Sequence, residues 1–116
     1  RVSHQKLNLV CDTVRGLPVE RAIDVLKFSK KRVSDEVLKT LISAIANAEH
    51  NKNLSADSLY VKEIWCGKAL TMKRIMAGPR GSARPILKPF SNLTIVLESG
   101  TAPAKKTAEK TAKKAK

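Results

Sequence analysis

Apolar residues recur along the first half of the chain with a helical period, and near residue 59 the pattern changes to alternation. Leu7, Val10, Cys11 and Val14 fall at i, i+3, i+4 and i+7, one stripe of a helix. Ser3 can cap that helix, which is predicted to run to about Arg15 with Gly16 just beyond its end. Pro18 stands where a second, short helix can begin, since the first helical turn needs no amide donor there. Its stripe is Val19, Ala22, Ile23 and Leu26. Ser29 is placed to cap a third, longer helix ending near Asn51, with Val33, Val37, Leu41, Ala44, Ile45 and Ala48 as its core face. Phe28, Tyr60 and Trp65 sit in apolar patterns and are assigned to the core.

From Leu59 the period becomes that of a strand, with Leu59, Val61 and Trp65 on one side of a pleat and Tyr60, Ile64 and Cys66 on the other. Residues 93–97 form a second β-rich run. Between the two lies a basic stretch punctuated by Gly78-Pro79-Arg80-Gly81, where Pro at i+1 and Gly at i+3 suit a type I turn. Residues 68–92 are therefore predicted as an extended hairpin arm with its tip near Pro79 and Arg80. About ten residues a side would carry it roughly 30 Å outward. Pro85 and Pro89 each remove a backbone donor, which predicts irregular pairing on the returning side. The expected fold is α+β: three helices packed on a small antiparallel sheet, with a protruding β-hairpin arm. Residues 1–97 are expected to form one domain. The Lys/Ala-rich residues 98–116 have too little apolar surface to offset their ordering entropy and are expected to be a disordered basic tail.

Charge sharpens this picture. The chain carries 23 Lys+Arg against 10 Asp+Glu, a net charge of +13. Residues 1–66 hold 11 basic and 8 acidic side chains, an ordinary balance, whereas residues 67–97 hold 6 basic and no acidic ones. Lys68, Lys73, Arg74, Arg80, Arg84 and Lys88 thus repel one another along an arm too thin to have a core. A polyanion completes such an element, so nucleic acid is the expected partner. No aromatic residue precedes Phe90 in the arm, which favours phosphate contacts and shape recognition of folded RNA over base stacking there.

Other chemistries find little support. Cys11 and Cys66 are isolated and are read as two buried free thiols in a reducing compartment. His4 and His50 lack convergent partners, no nucleophile or carboxylate constellation accompanies them, and the two tip glycines lack the spacing of a phosphate loop. No cofactor, small-molecule substrate or metal is expected, so a small hydrolase or metal enzyme is disfavoured. No run reaches the 18 to 20 apolar residues of a membrane span, and the tail lacks bulky apolar anchors, so no membrane partner is expected. A DNA architectural protein with a basic β-arm is the closer rival, with Ile75 or Met76 as its wedge.

Two motifs carry a family resemblance: Ser43-Ala44-Ile45-Ala46-Asn47-Ala48-Glu49-His50-Asn51 ending the third helix, and Met72-Lys73-Arg74-Ile75-Met76 entering the arm. With Val2-Ser3, Lys6, Leu9-Val10 and Arg15-Gly16 in the opening helix, the chain from about Arg1 to Leu97 resembles the universal large-subunit ribosomal protein family numbered twenty-two. The resemblance implies a non-enzymatic structural part of the large ribosomal subunit that supports its assembly and sends its hairpin to line the peptide exit tunnel. It implies a cytoplasmic ribosome of bacterial type. Partners would be large-subunit rRNA, neighbouring large-subunit proteins and the nascent peptide. Lys68, Lys73, Arg74, Arg80, Arg84 and Lys88 would hold rRNA along the arm, and Gly78, Pro79, Arg80 and Gly81 would form the tunnel-lining tip. Ser3, His4, Gln5, Lys6 and Arg15 would make a second rRNA contact. The chain departs from the family at the tip, where Pro-Arg-Ala-Lys-Gly-Arg-Ala is usual and Ala77-Gly78-Pro79-Arg80-Gly81-Ser82-Ala83 stands here. Pro85 and Pro89 replace the usual basic residues. Only Arg1-Val2 represents the strand that precedes the first helix in the family, so one sheet edge is expected to be absent or truncated.

Overall fold

A computed structural model describes residues 1–100; of the expected disordered tail, Glu98 and Ser99 instead belong to the second strand, and residues 101–116 lie outside the described range. Three helices, α1 (His4–Val14), α2 (Val19–Lys27) and α3 (Ser34–Lys52), pack on a ribbon of two antiparallel strands, β1 (Leu59–Ala77) and β2 (Ala83–Ser99). The sheet under the helices and the arm are thus the same two strands, continued outward.

The core follows the helical stripes. Leu7, Val10, Cys11 and Val14 of α1 meet Ala22 and Leu26 of α2, Val37 and Leu41 of α3, and Val61 and Ile64 of β1. The far end of α3 contributes less than its pattern suggests, since Ala44, Ile45 and Ala48 are only half-buried. Ser34 is fully buried with an unpartnered hydroxyl.

Helix boundaries differ from the sequence reading in two places. Pro18 precedes α2 rather than opening it, and its extended backbone forms a bridge to Tyr60. There the Leu17 carbonyl accepts from the Val61 amide and the Val61 carbonyl from the Gly16 amide, both at 2.9 Å. Ser29 does not cap α3. It lies in the loop before that helix, where its hydroxyl accepts from the Lys31 amide, and α3 starts at Ser34. The helix ends at Asn53, in the left-handed conformation at φ 51°.

The strands are unequal, 19 residues in β1 against 17 in β2, and two register shifts absorb the difference. The first leaves Lys62 unpaired between Val61 and Glu63. One extra residue turns the following side chains over, so Ile64 joins Leu59 and Val61 in the core while Trp65 is left 46% exposed. Trp65 is therefore not a core residue. Cys66, half-buried, turns to α1 with its Sγ 3.2 Å from the His4 carbonyl, so only Cys11 is a fully buried thiol. The second shift lies between Lys68 and Thr71, opposite Pro89 and Phe90. Beyond it Thr71–Ala77 pairs residue by residue with 83–89, Pro85 opposite Ile75, so the irregular pairing expected on the returning side is confined to the shift beside Pro89. Four residues apart, the two prolines share parity, and in a two-stranded ribbon both can turn their missing donor to the open edge.

Candidate nucleic-acid interface

From Trp65 to Gly100 no residue is fully buried, and Ile75, Leu87 and Leu70 are 81%, 60% and 66% exposed. Pairing fixes which arm side chains share a face, because directly opposed residues project to the same side. One face holds Met72 with Lys88, Arg74 with Ile86, and Met76 with Arg84. Its three cations alternate between the strands, Arg74 standing diagonally between Lys88 and Arg84, with apolar side chains between them. The other face holds Thr71 with Pro89, Lys73 with Leu87, Ile75 with Pro85, and Ala77 with Ala83. Lys73 is its one cation. The arm therefore has a cationic side and a mostly apolar side, a division that the charge count did not reveal.

At the tip the turn is displaced by one residue from the type I turn that the sequence suggests. The Pro79 carbonyl accepts from the Ser82 amide at 3.2 Å, and the two residues between, Arg80 (φ 56°, ψ 33°) and Gly81 (φ 73°), are both left-handed. That is the conformation of a type I′ turn, whose twist matches that of paired strands. The Gly78 amide donates to the Ser82 carbonyl at 2.7 Å, so Gly78 and Pro79 together oppose Ser82. A side chain at Gly78 would come within 2.9 Å of that carbonyl oxygen. The turn presents Arg80 at the apex, exposed.

At the root of the arm the N-terminal residues run beside β2, where the Ser91 hydroxyl donates to the Val2 carbonyl. This creates a cleft of about 560 Å³ lined by Arg1, Ser3, Lys6, Arg32 and Lys88, among apolar neighbours. It contains no carboxylate and faces a polyanion well. An adjoining cleft of about 570 Å³ mixes Arg1 and Arg32 with Asp35 and Glu36, which makes it a poorer anion site. The structure thus brings Ser3 and Lys6 together with Lys88 of the arm. Arg1 and Arg32, which sequence reasoning did not single out, complete the set; only the fold reveals their proximity.

The remaining expected contacts distribute unevenly. Gln5 is exposed and His4 half-buried on the first turn of α1, and Lys68 is exposed at the second register shift. Arg15 is taken up by the fold: Nη2 and Nε donate to the Ile64 carbonyl, and Nη1 pairs with Asp12 at 2.8 Å. All three nitrogens are engaged within the chain, leaving two of the five N–H donors for a phosphate. Phe28, assigned to the core from the sequence, is 85% exposed. Among the described residues no three His, Cys, Asp or Glu side chains gather as metal ligands, and no helix is long and apolar enough to cross a membrane.

Comparison with known proteins agrees with this geometry. The chain is 60% identical over 97 residues to the large ribosomal subunit protein uL22 of Maricaulis maris, covering 84% of this chain and 77% of the relative. It is 56% identical over 104 residues to the protein of the same name from Methylobacterium nodulans, covering 90% and 82%. The like-named protein of Rhodospirillum rubrum is 56% identical over 97 residues, covering 84% and 77%. The family described as ribosomal protein L22p/L17e matches residues 1–98, and with the helices, ribbon and basic arm in their places, the chain belongs to that family.

Proposed function

We infer that this chain is a structural, non-catalytic constituent of the large subunit of a bacterial-type cytoplasmic ribosome, anchored to large-subunit rRNA by its arm and by the cleft at the arm's root. The observation that carries this reading is the acid-free arm, residues 67–97, with Arg74, Arg84 and Lys88 on one face and Arg80 at the apex. Residues 1–99 act as the folded domain, and the arm as the penetrating element. The mostly apolar face supports the reading too, since Ile75, Leu87 and Pro85 are exposed among the described residues and would be covered in a packed particle. Neighbouring large-subunit proteins and rRNA supply that surface during assembly. The tip, small and rigid apart from Arg80, suits the wall of the peptide exit tunnel, where it would face the nascent peptide.

Changing Lys73, Arg74, Arg80 and Arg84 together to Gln tests the reading by sucrose-gradient fractionation of tagged protein after a high-salt wash. The variant is expected to drop sharply out of the large-subunit peak; wild-type incorporation would overturn the arm assignment. With about six phosphate contacts, the slope of log K against log salt for binding rRNA should be of order −4 to −5. A photo-crosslinking residue at position 80 should capture nascent chains in translating ribosomes if the tip lines the tunnel. Tighter binding to linear duplex DNA than to rRNA at equal salt would favour an architectural DNA protein.

A further inference from the structure

Phe28 is the most exposed large apolar side chain among the described residues, at 85%. It stands at the end of α2, in a loop that reads Lys27-Phe28-Ser29-Lys30-Lys31-Arg32, with no carboxylate between Asp24 and Asp35. All four cations are exposed, and neither ion pair of the described residues involves them; those pairs are Arg15 with Asp12 and Lys62 with Glu98. The loop is not slack. The Phe28 amide donates to the Asp24 carbonyl at 3.0 Å, Ser29 to Leu26 at 3.3 Å and Ser34 to Lys31 at 2.8 Å, while the Ser29 hydroxyl accepts from the Lys31 amide. An aromatic ring is therefore held outward on an ordered backbone, in a segment whose four cations form no ion pair among the described residues. Arg32 continues into the acid-free cleft with Lys6 and Lys88, so the loop and the arm root belong to one basic surface.

We propose that this loop is a separate RNA-binding site in which Phe28 stacks on an unpaired base of large-subunit rRNA while Lys27, Lys30, Lys31 and Arg32 hold the flanking phosphates. It rests on the rRNA-binding reading above and adds to it a contact of a different kind, since the arm between Gly67 and Pro89 has no aromatic ring to stack on a base. Single exposed apolar residues are common on protein surfaces; the surrounding cations distinguish this one. A protein partner would have to strip water from four unpaired cations to cover the ring, and lysine is depleted from protein interfaces for that reason. RNA neutralises those charges with phosphates, and every base offers a π-face to the ring.

The test uses the full chain and a large-subunit rRNA transcript of Maricaulis maris, with filter binding at fixed salt. Phe28→Ala should weaken binding by about 5- to 150-fold, the range for losing one stacked base, with an unchanged salt slope. Phe28→Tyr, which keeps the ring, should bind as the wild type does. Ultraviolet irradiation of the wild-type complex should join the peptide containing Phe28 to a single-stranded nucleotide. Wild-type affinity for Phe28→Ala, equal losses for Phe28→Ala and Phe28→Tyr, or crosslinks confined to other peptides would each overturn the stacking site. Those results leave the broader function standing. If the wild-type chain itself does not prefer the transcript to duplex DNA of equal length, the rRNA-binding reading fails and this site fails with it.

Discussion

The guanidinium of Arg15 grips the Ile64 carbonyl from two nitrogens, Nη2 at 2.8 Å and Nε at 3.3 Å, and so ties the end of α1 to β1 just past the first register shift. A hydrogen bond to a charged donor contributes about 1.5–3 kcal/mol, and the half-exposed position of this one puts it at or below the lower end. Arg15→Ala is expected to destabilise the domain by about 1–2 kcal/mol, read from the urea midpoint. Arg15→Lys should recover little, since an ammonium cannot fork. An unmoved midpoint in the alanine variant would mean that water serves the carbonyl equally well.

The tip should respond to substitution in opposite directions. Arg80 holds a left-handed conformation that glycine adopts freely, so Arg80→Gly should tighten the turn by about 1 kcal/mol while removing one phosphate contact. Gly78→Ala drives a methyl against the Ser82 carbonyl and should open the turn. Amide hydrogen exchange at Ser82 reads both effects: slower in Arg80→Gly, faster in Gly78→Ala. The same rate in all three proteins would refute the assigned turn.

Glu98 closes the far end of the ribbon, accepting from the Tyr60 hydroxyl at 2.6 Å and pairing with the Lys62 ammonium at 2.9 Å. The Tyr60 hydrogen bond, and then Lys62, hold the Glu98 carboxyl below its ordinary 4.5, while the bonds to Glu98 raise Tyr60 and Lys62 above their ordinary 10.0 and 10.5. A depressed acid stabilises above its unfolded value and loses that contribution as pH falls through the folded one. The raised Tyr60 and Lys62 stabilise fully below their unfolded values and lose their contribution as pH rises through the folded ones. The difference in Tm between wild type and Glu98→Gln should therefore be flat from about pH 5 to 9.5 and shrink beyond both limits. A difference that persists at pH 2.5 would rule out the carboxylate as its source.

The two thiols should differ in reactivity. Burial, and then the neighbouring Cys66, push Cys11 from 9.0 to about 11, which lowers its thiolate fraction at pH 8 by about a hundredfold. Native protein treated with iodoacetamide should be alkylated at Cys66 and spared at Cys11, while urea exposes both. Alkylation of Cys11 at the rate of Cys66 in native protein would show that α1 opens far more readily than its packing implies.

Much of the fold is written in local periodicity. The α1 stripe becomes the buried face without change, and the basic run becomes the arm, because helical spacing and acid-free charge both survive folding intact. The misreadings have physical causes. Alternation in β1 breaks at Lys62, where an extra residue that no propensity marks moves Trp65 from core to surface. Phe28 lies two residues past Leu26, about 200° around the helix from the buried stripe; that offset, with basic residues on both sides, was a usable signal for its exposure. The pairing of Arg1 and Arg32 with Lys88 was not legible, since it joins three distant stretches of chain. That Arg15 also bonds the Ile64 carbonyl was not legible either, since it joins residues 49 apart in the chain.

The matched ladder from Thr71 to Ala77 makes the length of the arm a quantity that changes only in steps. One residue inserted into either strand there would roll everything beyond it by half a turn, sending Arg74, Arg84 and Lys88 to the side that Ile75 and Leu87 now occupy. Two residues added to each strand would preserve both sides and lengthen the arm by about 7 Å. Viable length variants of this hairpin should therefore differ by paired, even insertions, or carry a compensating bulge like the one at Lys62.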